Sequence, residues 1–521
     1  MLKACLQLRQ SQLRINSCVF SFPIAHNRTT KKSPSGLFLV LLIVLMLLFK
    51  TKYYKIINTN MFSYFKLSKF FLIFSVFCIP IVMASTLFPF IVGKYVWFRM
   101  SVDFAFIFFL LGLLFSKEAA IVSRKLLVIF KQPLVIAVTI FVIAFLLACF
   151  FGINPHFSFW SNFERGEGGF QMIHLWIFFI LLALLFDKEE NWRKMFFWFL
   201  ISGVLMAIYG LFAGLGAKGF VGSLFSDAGF RFQGSIGNPA YVAAFCIFMI
   251  FYCLYLLFSK QDRKLFYKGN LWLWGLILVF LAVFFSAATR GAFIGLMAAI
   301  VAFLGYLIIF YKPWRVRLLI LIIVPLLIVG SLVYFKDSVF VKSIPGSRVF
   351  DISITAKTFQ DRTIMWGIAW QGFKERPVFG WGPENFIRIF DKHFDVRYFN
   401  PAEGFGAWFD RAHSVYFDYL AETGIVGLVS YLMIFLVFYW QLIKSQILNF
   451  KSQRENNKKL PAINYQLLIN ALLFAVPTAY LVQGIVLFDV LPIYLNLFLL
   501  LAFANYKFNL KSQISNLKSS S

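Results

Sequence analysis

The chain has 521 residues, of which 60% are hydrophobic, 20% aromatic and only 14% charged. A soluble globular domain is about 45–50% apolar and about 25% charged, so the composition excludes an ordinary soluble domain. The formal net charge of +28 does not point to nucleic acid, because Lys and Arg fall between long apolar runs, where the positive-inside rule places them.

Residues 1–60 form a basic extension around one short apolar run, GLFLVLLIVLMLLF at 36–49. The run is short for a full crossing, which takes about 20 residues. Met61 opens MFSYFKLSKFF, a second plausible start, and translation is expected to begin there. Beyond it the chain reads as an all-α, polytopic transmembrane protein of about twelve spans. The apolar runs lie near 70–92, 101–115, 134–151, 171–186, 195–214, 240–258, 271–288, 291–311, 318–335, 420–440, 464–485 and 490–505. Residues 61–335 hold the first nine spans, 336–412 a large outside loop, 413–505 the last three spans, and 506–521 a basic tail.

The connecting charges set the orientation. Segments after even-numbered spans carry Lys117, Arg124, Lys125 and Lys131; Lys188, Arg193 and Lys194; Lys260, Arg263, Lys264 and Lys268; and Lys312, Arg315 and Arg317. The segment after the tenth span holds Lys444, Lys451, Arg454, Lys458 and Lys459, and the tail adds Lys507, Lys511 and Lys518. Short segments after odd-numbered spans are sparse in Lys and Arg. Both termini of a chain starting at Met61 are therefore expected in the cytoplasm of a cell whose inner membrane it spans. The cysteines form no CxxC pair, and Cys78, Cys149, Cys246 and Cys253, within apolar runs, read as small buried hydrophobes.

With that orientation the polar residues gather on the outside. Glu164, Arg165 and Glu167 follow the third span; Arg231, Gln233 and Asn238 follow the fifth; Arg290 sits in the tight hairpin after the seventh. The large loop carries Arg362 and ends at His413, with Asp410, Asp418 and Glu422 nearby. A single loop arginine often only snorkels to lipid phosphates. Asp418 and Glu422 share a helix face and are expected at a wet interface rather than on the imidazole. Four arginines and one histidine on one side need a further explanation. A transporter would place its charges near the midplane, and here the middles of the spans are almost free of charge.

These segments resemble the O-antigen ligase and polymerase family of membrane glycosyltransferases. His413-Ser414, then the nine residues 415–423, then Gly424 and Gly427 match its pattern of a histidine, a small polar residue, nine residues and Gly-x-x-Gly; Thr289-Arg290-Gly291 matches its Ser/Thr-Arg-Gly hairpin. Arg231 with Gly234, Gly237, Asn238 and Pro239 resembles an Arg-x-x-Gly-x-x-Gly-Asn-Pro stretch, and Arg362, Trp366, Pro377, Gly380, Gly382 and Phe386 resemble the large loop. FWSNFER, ending in Arg165, is similar too. The resemblance covers roughly residues 61–510, without the soluble repeat domain of some members; the Phe and Trp of the large loop stay unassigned.

The resemblance implies transfer of a glycan from an undecaprenyl-diphosphate carrier to an acceptor hydroxyl outside the membrane, on a lipid, a growing glycan or a protein. It implies no cofactor and no metal, with arginines in the metal's place. His413 is then the base, Arg290 and Arg231 the first candidates against the diphosphate, Arg362 and Arg165 the next, and Asn238 a substrate contact. Polysaccharide polymerase and protein O-oligosaccharyltransferase remain alternatives within the same chemistry.

Overall fold

The structure is a computed structural model, and it describes residues 63–214, 231–259, 268–344, 346–353, 355–398, 409–455 and 465–519. The basic extension and the expected start at Met61 lie outside the described residues. The chain divides after residue 60, and all the described residues belong to the unit that begins at Met61.

Among the described residues every regular element is helical. The helices are α1 (Tyr64–Phe74), α2 (Val92–Phe115), α3 (Ala119–Ile129), α4 (Pro133–Phe151), α5 (Pro155–Trp160), α6 (Gly169–Leu185), α7 (Glu189–Tyr209) and α8 (Pro239–Phe258). They continue with α9 (Leu271–Ala287), α10 (Arg290–Phe310), α11 (Arg315–Tyr334), α12 (Lys357–Glu375), α13 (Phe386–Lys392), α14 (Val415–Glu455), α15 (Tyr465–Gln483) and α16 (Leu491–Ser519), with a single helical turn, Val339–Lys342, between α11 and α12. Among the described residues, ten helical stretches are long and apolar enough to cross a membrane, and the 17-residue α6 is apolar but shorter. This is an integral membrane protein with a polytopic helical fold.

Two expected spans shift. The first, placed at 70–92, is instead α1 extended by a 3-10 turn, Ser75–Cys78. Pro80 then removes a donor and disfavours helix at the residue before it, and the chain runs irregularly to Ile91. The second begins at Val92 rather than 101, and so takes Lys94 and Arg99 into an apolar helix. Both are satisfied there: Lys94 Nζ donates to the carbonyls of Ile81 (2.5 Å) and Ser235 (2.7 Å), and Arg99 Nε to Gln171 Oε1 (2.7 Å). The four cysteines of the spans are free and buried, as their surroundings predicted.

The polar ends of the helices fall into two groups. Lys125 pairs with Asp187 (2.7 Å), Arg193 donates to Ser259 (2.8 Å) and Lys507 pairs with Glu189 (2.6 Å). At the other end Arg165 pairs with Asp410, Arg290 with Asp351, and Glu167 with Arg411. The segments assigned to one side by charge parity thus meet one another.

The large loop is built rather than irregular. Met365, Ile368, Trp381, Phe386, Ile389 and Phe390 form a small second core, and Trp366 stacks on Phe417 of α14 at 5.3 Å. That gives Trp366, Trp381, Phe386 and Phe390 a place among the aromatic residues the sequence left unassigned. The loop also repairs α14, which breaks at Gly424 (φ 65°, ψ −166°). A break strands carbonyls and N–H groups. The extended segment 377–382 takes them up: Trp381 N–H donates to Ala421 O (3.0 Å) and Gly382 N–H to Glu422 O (2.8 Å). In return Ile425 N–H donates to Pro377 O (2.8 Å) and Val426 N–H to Val378 O (3.3 Å). A Cβ at Gly424 would lie 2.3 Å from the Val378 carbonyl oxygen. Gly427, one turn on, leaves room for Thr423, whose Oγ1 would be 1.9 Å from a Cβ there.

A Gly424→Ala variant combines the cost of a backbone conformation essentially reserved for glycine, about 1–3 kcal/mol, with that clash. It should lower the melting temperature of the purified protein and expose the 377–382 amides to hydrogen exchange. Unchanged protection at those amides would contradict the clasp.

Candidate active site

The break in α14 fixes the chain just before it. Arg411 is almost wholly buried, and its guanidinium meets three carboxylates: Glu422 (3.0 Å), Glu167 (3.2 Å) and Glu384. These come from α14, the segment before α6 and the segment before α13, so one side chain joins three parts of the fold. Burial alone would lower the Arg411 pKa, but the carboxylates outweigh it and hold the group well above its ordinary value. Glu167 is raised by the same burial, with Arg411 and Arg165 opposing. Asp418 adds a backbone tie, accepting from Ala412 N–H at 2.6 Å.

His413 follows directly, in a left-handed backbone conformation (φ 58°). Such φ values are uncommon for residues other than glycine and persist where neighbours over-determine them. Here Asp418 holds the residue before it, while Val415 N–H donates to Gly484 O (2.9 Å). The ring is edge-on to Phe409 and Phe488, at 4.7 and 5.2 Å between centroids. Its Nδ1 lies 3.2 Å from the Arg411 carbonyl, which can only accept. In the neutral ring the proton is therefore on Nδ1, and Nε2 offers its lone pair. Burial lowers the His413 pKa from 6.5; the Arg411 carbonyl opposes this, and Arg362 and Arg165 add to it.

His413 lines a cavity of about 380 Å3, together with Arg165, Asn238, Tyr241, Lys94 and Asp410. Arg165 is paired with Asp410 and lies over the Phe488 ring at 5.8 Å. Asn238 also caps α8, its Oδ1 accepting from Ala240 N–H at 2.9 Å, and Gly237 supplies the left-handed turn (φ 81°) that precedes it.

Arg231, Arg290 and Arg362 do not line this cavity. They form a neighbouring group with Arg348. Arg231 donates to Ala287 O (3.0 Å) and Thr289 Oγ1 (2.6 Å), binding the tight α9–α10 hairpin to the 231 segment. Arg290 pairs with Asp351, which also takes Lys336 at 2.7 Å. Among the described residues, Arg231, Arg348 and Arg362 have no carboxylate in ion-pair contact. The Arg231 pKa is pushed down to about 10, first by burial and then by Arg348, Arg290 and Arg362. Arg362 is lowered by burial and by Arg290, and it also acts on His413, so its charge is felt by both groups.

The expectation for two carboxylates changes. Asp418 and Glu422, expected at a wet interface, are buried, and they hold Ala412 and Arg411 rather than the imidazole. Arg411, Glu384 and Arg348 received no role from the sequence. Arg411 stands two residues before His413, and Glu384 follows the Gly380/Gly382 segment, so proximity to the motif was the available signal.

Residues 274–432 match the family model described as O-Antigen ligase. This segment is an O-antigen ligase domain. It runs from α9 through the large loop and past the broken turn of α14, and so includes Arg290, Arg348, Arg362, Arg411, His413, Gly424 and Gly427. Among curated proteins, none matches the chain. The family is one of membrane enzymes of the ligase and polymerase type acting on lipid-linked glycans, and Arg165, Arg231 and Asn238 reach this domain from outside the matched segment.

A base whose pKa is depressed stays neutral to lower pH. If His413 accepts the proton, the acidic limb of the kcat/KM profile should lie below pH 6.5. Stability linked to the neutral ring has the same sign, present above 6.5 and lost as pH falls through the depressed value. A limb above 6.5 would contradict the assignment.

Proposed function

We propose that this protein is a glycan ligase that moves a saccharide from a polyprenyl diphosphate carrier to an acceptor hydroxyl at the non-cytoplasmic face of the inner membrane. The observation that carries this reading is the group of Arg231, Arg290, Arg348 and Arg362 with Asp351 as its one carboxylate in ion-pair contact among the described residues. Like charges held close together repel, and a polyanion relieves that cost. Arginine suits the task because its planar fork binds phosphate oxygens bidentately and keeps its charge. Charge parity of the connecting segments supports the outward orientation.

The step uses both groups. The acceptor O–H gives its proton to His413 Nε2 as its oxygen bonds to the anomeric carbon. The bond from that carbon to the diphosphate oxygen breaks, and the electron pair leaves with the diphosphate. Charge growing on that leaving group meets guanidinium groups already in place, where fixed donors act most strongly. Arginines thus serve where other transferases use a divalent ion, and displacement by one base implies inversion at the anomeric carbon. Arg165 and Asn238 flank the histidine in the cavity and suit contact with saccharide hydroxyls.

In a strain lacking its own ligase, wild type should transfer glycan to lipid A-core, whereas His413→Ala and Arg290→Ala should accumulate in the membrane and leave glycan on the carrier. Full activity of His413→Ala would remove the base. Product found on carrier-linked glycan or on protein instead would reassign the acceptor.

A further inference from the structure

A second cavity, of about 450 Å3, lies at the end of the bundle remote from His413. The separation is set by the helices. The Lys94 end of α2 reaches the His413 cavity, and the α2 C-terminus leads into α3; 24 residues at about 1.5 Å each put about 36 Å between them. The cavity is formed by α3, the start of α4, the end of α6 and the distal part of α16, and the proposed transfer uses none of it.

Its chemistry is that of an anion site with an apolar border. Lys125 on α3 is paired with Asp187 at 2.7 Å. Arg124, beside it, makes no hydrogen bond or ion pair among the described residues. Asn505 Nδ2 donates to Gln132 Oε1 at 2.6 Å, which sets two amides into the wall. Ile121 and Val128 line the cavity from α3, yet are 59% and 57% exposed, and Leu127 is 70% exposed. A short helix joining two spans, with large apolar side chains uncovered beside Arg124 and Lys125, has the make-up of an element lying in the headgroup layer.

We propose that this cavity binds the phosphate headgroup of an anionic phospholipid drawn from the surrounding bilayer. Arg124 contacts the phosphate, Gln132 and Asn505 offer amide groups to the glycerol oxygens, and Ile121 and Val128 border the first acyl carbons. Charge complementarity supports the choice of occupant, since basic pockets between transmembrane helices bind anionic headgroups. A free phosphate ion would satisfy Arg124 but leave the apolar border uncovered.

Native mass spectrometry of the purified full chain, titrated separately with phosphatidylglycerol and phosphatidylcholine, tests this. Phosphatidylglycerol should bind about tenfold more tightly, and Arg124→Gln should abolish most of that preference while Arg317→Gln keeps it. Inorganic phosphate at millimolar concentration should not displace the lipid. Equal binding of the two lipids, an unchanged preference in Arg124→Gln, or displacement by phosphate would each overturn the proposal. Should Arg124→Gln fail to accumulate, the lipid comparison on wild type and on Arg124→Lys, expected to keep the preference, still decides. Glycan transfer is not the readout, so failure here is separable from failure of the ligase reading.

Discussion

The contact of Arg411 with Glu167, Glu384 and Glu422 organises the site end of the bundle. Removing one partner of a buried ion pair typically costs about 3–5 kcal/mol, because the remaining charge is stranded. Here one guanidinium answers three carboxylates from three segments, so its loss strands all of them. Burial makes Arg411 unavailable to a substrate and effective as a brace. His413 gains from this, since its strained φ and its Nδ1 partner both depend on where the Arg411 backbone lies.

Charge compensation divides the arginines by task. Arg411 is fully answered by carboxylates, and Arg165 has Asp410. Arg231 is held by the Ala287 carbonyl and the Thr289 hydroxyl, Arg348 and Arg362 have no carboxylate in ion-pair contact among the described residues, and Arg290 shares Asp351 with Lys336. The first set holds the architecture and the second is short of negative charge. On the proposed reading the missing charge is the diphosphate. The broken helix serves the same end: segment 377–382 can clasp α14 only because Gly424 admits both the backbone turn and the close approach.

Much of this was legible in the sequence. Apolar runs gave nearly all the spans, and alternating charge grouped the segments that meet at each end. His413, Arg165 and Asn238 were found from a pattern, and they share one cavity. What stayed hidden depended on tertiary partners. Lys94 fell between the first two expected spans, because the carbonyls at 81 and 235 that satisfy it inside α2 are far from it in sequence. Asp418 and Glu422 looked like solvated charges because nothing local tells that Arg411 folds back onto them. Arg348 sits in no motif, and only the fold brings it near Arg231 and Arg290.

The proposed transfer requires an uncompensated guanidinium group that holds a diphosphate independently of the imidazole. Direct binding of undecaprenyl diphosphate, without its glycan, to the purified protein separates the two roles. Binding to His413→Ala should match wild type, whereas Arg231→Gln and Arg362→Gln should each bind about tenfold more weakly, a loss of about 1.4 kcal/mol. Wild-type affinity in both arginine variants would contradict the diphosphate role of the group.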